Sequence, residues 1–260
     1  MNIRMQQEKI HIRGKNFLKR FLLYWWVVPR VQWDFLDLMY QLYTFEIFHR
    51  DWKTKLAHYL TIPAIANFTM VFLAQWQLEG YAPFVINGAL IYALVMATIH
   101  LLWAIPRQVW HAGVVTAFFL LVLWLNATCF YEVVRVPSAP WYAPTVAAAN
   151  PLVWIYVFGL LETLSHTFEE IPPYVNGKER WEPRYTFLRH GGWWRIAGFV
   201  SLPTLFTIVS IVSNLHLLPT MILKIMFSVG YKPGIFKRLQ NTVDAEVATG
   251  NPVIHVFPQK

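Results

Sequence analysis

The sequence has one cysteine and few charges: 14% of its 260 residues are Asp, Glu, Lys or Arg. A lone thiol closes no intrachain disulfide, which excludes a stapled extracellular scaffold. Cys129 lies in an apolar run and reads as a small buried hydrophobe. Soluble proteins carry about a quarter charged residues, so the polar surface here is too small to keep a globule of this size in water. The chain also lacks a Gly-rich phosphate loop, a Cys pair and a G-x-S-x-G elbow. No H-x-x-H-H cluster occurs, which disfavours the common membrane desaturase and hydroxylase pattern. Repeats and low-complexity linkers are absent, so one domain is the simplest organisation. The first twenty residues are polar and basic, without the short apolar core and small-residue cleavage site of a signal peptide. Insertion is then expected to rely on the first transmembrane helix.

What is present is apolar and aromatic. Hydrophobic residues make up 56% of the chain, with 13 Trp and 19 Phe. A spanning helix needs about 20 mostly apolar residues. Five segments qualify: Tyr59–Leu78, Ala82–Ala104, Val109–Tyr131, Ala149–Phe168 and Trp194–Asn214. A sixth run, His216–Val229, is shorter and holds Pro219 and Lys224. The expected fold is all-α, a multi-pass transmembrane helical bundle of five or six spans. The aromatic stretch Phe17–Phe48, broken by Arg30, Asp34, Asp37 and Glu46, reads as interfacial amphipathic helices. The chain thus divides into a basic N-terminal region (1–58), a transmembrane domain (59–230) and a cytoplasmic tail (231–260).

Net charge is +8. The basic residues flank the apolar runs and no nucleic-acid module is visible, so they report membrane orientation rather than a nucleic-acid partner. Ten of them precede Tyr59, and Lys178, Arg180, Arg184 and Arg189 share the loop Glu169–Trp193. The loops Glu79–Tyr81 and Glu132–Ala148 hold almost none. Six spans with both termini inside satisfy this alternation.

On that topology six of the nine histidines gather at the inner face: His49, His58, His100, His111, His166 and His190. Ionisable groups at membrane depth are costly and mark function, and neutral imidazole is the commonest metal ligand. His49 and His58 would point to opposite sides of one straight helix. Asp51 is a good N-cap, and a break at Arg50–Asp51 would let His49 end one helix and His58 ride the next. In the fourth span Glu162, His166 and either Glu169 or Glu170 share a face. Imidazole with carboxylate suits iron or manganese in a helical bundle, with zinc also possible.

The run from Phe48 through His49, Arg50, Asp51 and His58 to Pro63 resembles the first motif of the 2-hydroxy fatty acid dioxygenases. These are membrane enzymes of fatty-acid α-oxidation, of a yeast type with bacterial relatives. Ser165-His166-Thr167-Phe168-Glu169-Glu170, followed by Pro172 and Pro173, is similar to the second motif, with Glu162 where the family has Gln and a shorter Glu-to-Pro interval. Val229-Gly230-Tyr231-Lys232-Pro233 resembles a closing Gly-Tyr-Arg-Pro signature. Residues 176–194 look like an insertion.

The resemblance implies an Fe(2+)-dependent dioxygenase that uses O2 to cleave the C1–C2 bond of a long-chain 2-hydroxy fatty acid. His49, His58 and His166 would be iron ligands or close supports, with Glu170 nearby; the clustering at the inner face, independent of the resemblance, adds His100 and His111 as candidate metal donors. Arg107 or Lys53 would hold the substrate carboxylate, and Glu162 adds a carboxylate to the site. The membrane would be the endoplasmic reticulum or a bacterial inner membrane, with the site at the cytoplasmic face. Two other readings compete: a different metal- and O2-dependent lipid hydroxylase or oxidase, with two metals plausible, and a non-catalytic lipid-binding protein whose histidines only hydrogen-bond.

Overall fold

The structure is a computed structural model that describes residues 38–80, 84–105, 108–165, 168 and 217–248. The expected span Trp194–Asn214 and the apparent insertion lie outside these residues. Among the described residues the chain is mostly helical. In order they are α1 (Leu38–Phe48), α2 (Trp52–Leu73), a two-stranded ribbon of β1 (Gln77–Glu79) and β2 (Ile86–Asn87), α3 (Gly88–Ala104), α4 (Trp110–Val134), α5 (Pro151–Ser165), α6 (Leu217–Ser228) and α7 (Pro233–Ala248).

Local chemistry explains where these helices start and stop. Asp51 caps α2, its carboxylate accepting from the Lys53 amide at 2.7 Å. Asn87 caps α3 in the same way, accepting from Leu90 N–H at 3.0 Å. Asn150 accepts from Leu152 N–H, with Pro151 as the first residue of α5, where a missing N–H costs nothing. The corner between α6 and α7 joins two such signals. Gly230, at φ +94°, ends α6: its N–H donates to Phe227 O, and the Tyr231 N–H donates to Met226 O. That is the Schellman stop, which favours glycine because L side chains resist this φ. Pro233 then opens α7. The Gly-Tyr-Lys-Pro run is thus accounted for as a helix corner.

Two apolar clusters form the core. One joins Leu38, Leu42, Tyr43 and Phe45 of α1 to Leu223 and Phe227 of α6 and Leu239 and Val243 of α7. The other packs α2, α3 and α4 through residues such as Ile62, Met70, Ala93, Leu120 and Trp124. The backbones of α3 and α4 approach closely at Gly113, where an added Cβ would meet Ala104 Cβ at 3.0 Å and His100 O at 3.2 Å. Two differences from the sequence reading stand out. α1, expected in the headgroup layer, is a core helix of the protein. The segment expected as a tail begins with α7, which packs its apolar stripe on α1.

α2 and α4, at 22 and 25 residues, are long and apolar enough to cross a membrane, whereas α3, α5 and α6 are apolar but shorter. Their outward faces are apolar too. On α4, Val115, Phe118, Val122 and Val133 are exposed at three- to four-residue intervals or multiples of them, and Ile91, Leu94, Val95 and Leu102 do the same on α3. Stripes of this kind exceed what a water-facing surface carries. Together these features suggest membrane association.

Candidate functional site

The break at Arg50–Asp51 brings His49 and His58 together. α1 ends at Phe48, α2 starts at Trp52, and the Nε2 atoms of the two histidines face each other at 3.1 Å. Both rings are buried, His58 at 1% exposure. Phe45 stacks on His49 at 4.2 Å and meets His58 edge-on, forming an apolar wall.

The other ring nitrogens fix the tautomer of the neutral rings. His49 Nδ1 lies 2.7 Å from Phe45 O, and His58 Nδ1 lies 2.9 Å from Thr54 O. A carbonyl oxygen only accepts, so each Nδ1 must donate. In a neutral ring Nε2 is then the acceptor nitrogen. Glu162 of α5 brings a carboxyl group, with Oε1 3.5 Å from His58 Nε2, which accepts when ionised and donates when protonated. Groups that meet in this way out of water are held by a shared proton or by a metal cation. Two nitrogens bound to one ion at about 2.1 Å stand roughly 3.0–3.4 Å apart, so the Nε2 spacing fits two neighbouring ligands of one metal. Backbone carbonyls on Nδ1 are the usual orienting partners of metal-bound imidazole.

The donor set is incomplete as described. Among the described residues no group of three or more His, Cys, Asp or Glu is arranged to hold a metal ion. His166, Glu170 and Arg107 lie outside the described residues. His100 is buried in α3, and neither it nor His111 completes a metal-holding group with the pair. His111 stacks on Trp110 and its Nδ1 lies 3.0 Å from the Tyr231 hydroxyl. Burial pushes the Tyr231 phenol above its ordinary range, with the contact to His111 pulling against it. His111 therefore ties the start of α4 to the α6–α7 corner.

Thr54 holds α5 against α2. Its hydroxyl donates to Ser165 O at 2.9 Å while its own carbonyl accepts from His58. The residue that follows Ser165 in sequence is His166.

Sequence reasoning passed over a charged cluster beside the pair. Glu46 is buried, with Lys55 Nζ 3.2 Å from one carboxylate oxygen and Lys224 Nζ 2.7 Å from the other. A signal was present: Glu46 and Lys55 are nine residues apart, as are His49 and His58, and Lys224 is an isolated cation in an apolar run.

The chain matches no family model, no curated protein and no solved structure.

Proposed function

We propose that this chain is a multi-pass membrane oxidoreductase that holds iron(II) at His49 and His58 and uses O2 on a long-chain lipid acid, in the manner of the 2-hydroxy fatty acid dioxygenases it resembles. The observation that carries the reading is the approach of the two Nε2 nitrogens to 3.1 Å beside the Glu162 side chain, the spacing of two neighbouring imidazole ligands on one ion.

His49 and His58 would be ligands, with Glu162 and the sequence neighbour His166 as candidates to complete the set. Iron bound there would supply Lewis-acid polarisation of the substrate oxygens and the redox chemistry of O2. The protein's own residues do the rest. The carbonyls of Phe45 and Thr54 hold both rings in the tautomer that offers Nε2. The Phe45 ring limits water at the pair. With a cation bound, Glu162 would ionise and balance its charge. The exposed apolar faces of α3 and α4 would border the acyl chains of the membrane.

The wider topology belongs to this proposal: five or six spans, both termini cytoplasmic and the site at the inner face, in the endoplasmic reticulum or a bacterial inner membrane. Glu162 also favours a second reading, a metal- and O2-dependent lipid hydroxylase with two metals, since carboxylate and imidazole together suit such centres.

Elemental analysis of detergent-purified protein tests the proposal. Iron should copurify or reconstitute at one per chain, and the loaded protein should shorten 2-hydroxy fatty acids by one carbon. Two metals per chain would favour the hydroxylase. Protein that takes up no metal would end both readings.

A further inference from the structure

The cluster next to the histidines has its own chemistry. Glu46 precedes His49 by three residues and Lys55 precedes His58 by three, so the ion pair and the imidazole pair are successive rungs across one joint. Glu46 is 1% exposed, and each of its oxygens is taken by one ammonium group. Lys224 reaches the cluster from α6 with its side chain 11% exposed, and its Nζ lies 4.6 Å from the centre of the Phe236 ring. Two cations share one anion, so among the described residues the cluster carries a net positive charge. Among the described residues no second acid pairs with either lysine. Unbalanced charge is costly in such surroundings. Lys55 hydrogen-bonds one oxygen of Glu46 and Lys224 pairs with the other as an ion pair, and each ammonium has three donors and keeps some for another acceptor.

We propose that Lys55 and Lys224, bridged by Glu46, seat the carboxylate of a lipid acid whose adjoining carbons reach the His49–His58 pair. The assignment rests on the function proposed above and names the headgroup that the site recognises. An incoming carboxylate cancels the excess charge, and its charge-assisted hydrogen bonds are strong where water is scarce. One helical step then separates the seat from His58. We assign the headgroup to this pair in preference to Lys53, which is exposed and lies over the Phe168 ring at 5.0 Å. The phosphate of a resident phospholipid shares the same anionic chemistry, so the experiment must separate the two.

Binding to full-length, metal-free protein in detergent provides the test, with radiolabelled palmitate competed by palmitate, hexadecanol or phosphatidic acid. Palmitate should bind at least about tenfold more tightly than hexadecanol, the difference one charged hydrogen bond makes. Lys224→Met and Lys55→Gln should each abolish that preference, and Lys224→Arg should keep it. Lys55, the more exposed, provides the informative variant if Lys224→Met does not fold. Equal binding of acid and alcohol, or a preference unchanged in the lysine variants, would overturn the proposal. So would displacement by phosphatidic acid at concentrations well below those of palmitate, which would assign the seat to a resident lipid. No metal or turnover enters the measurement. A preserved preference without iron chemistry therefore sinks only the proposed function, and iron binding without the preference sinks only the seat.

Discussion

The Thr54 hydroxyl donates to the Ser165 carbonyl across 2.9 Å, joining residues 111 positions apart at a buried contact. The same residue's carbonyl accepts from His58 Nδ1. One threonine thus sets both the tautomer of a candidate ligand and the docking of the helix that brings Glu162.

Thr54→Val keeps the shape and removes the donor, leaving the Ser165 carbonyl buried without it. It should cost about 1–3 kcal/mol of stability and lower metal occupancy as α5 loosens. Thr54→Ser should restore both. Thermal unfolding in detergent and metal content on the same preparations check this. A Val variant as stable and as metal-rich as the parent would show that the contact carries nothing.

His49→Ala and His58→Ala should each reduce bound iron by about tenfold or more, the scale on which even supporting residues act. His58 is the more buried, so its removal should also lower stability more. Elemental analysis decides the matter, and metal content unaffected in both variants would favour the lipid-binding reading.

Glu162→Gln separates a ligand from a packing residue. The amide fills the same space without the cost of a desolvated carboxylate. Stability without metal should therefore hold or rise while iron affinity falls. Parallel metal titrations and melting curves would register this opposition of sign, and a loss of stability with affinity intact would remove Glu162 from the site.

Val122→Arg places a charge midway along α4 on its outward face. At the centre of a spanning helix an Arg costs about 2.5–3.5 kcal/mol of insertion. On a water-facing surface it would be nearly neutral. Alkaline extraction of membranes should show the variant released while the parent is retained, and equal retention would place this face away from lipid.

Much of the site was legible because it is local. Asp51 announces a helix start, so the break between the histidines could be read from a few residues, and Gly230 with Pro233 announces the α6–α7 corner. Each works through hydrogen bonds within one turn. The role of Lys224 was not legible, because its meeting with Glu46 depends on how α6 returns to α1. Nor was the burial of α1. Its charged Glu46 suggested a headgroup-layer segment, and only the two lysines arriving from other helices show how that charge is accommodated in a core. The meeting of His111 with Tyr231 was not legible either, since it depends on the corner that sets Tyr231 beside the start of α4.

The sequence by itself determined that the described residues are mostly helical and where several of the helices start and stop, because caps and helix stops act over one turn of chain; its long apolar runs with few charges point towards lipid. Only the tertiary structure decided which polar groups meet. Whether two imidazoles meet, and whether two lysines share one acid, depends on helices approaching to within a few ångströms. Such approach is set by packing summed over whole faces, and no short stretch of chain encodes it.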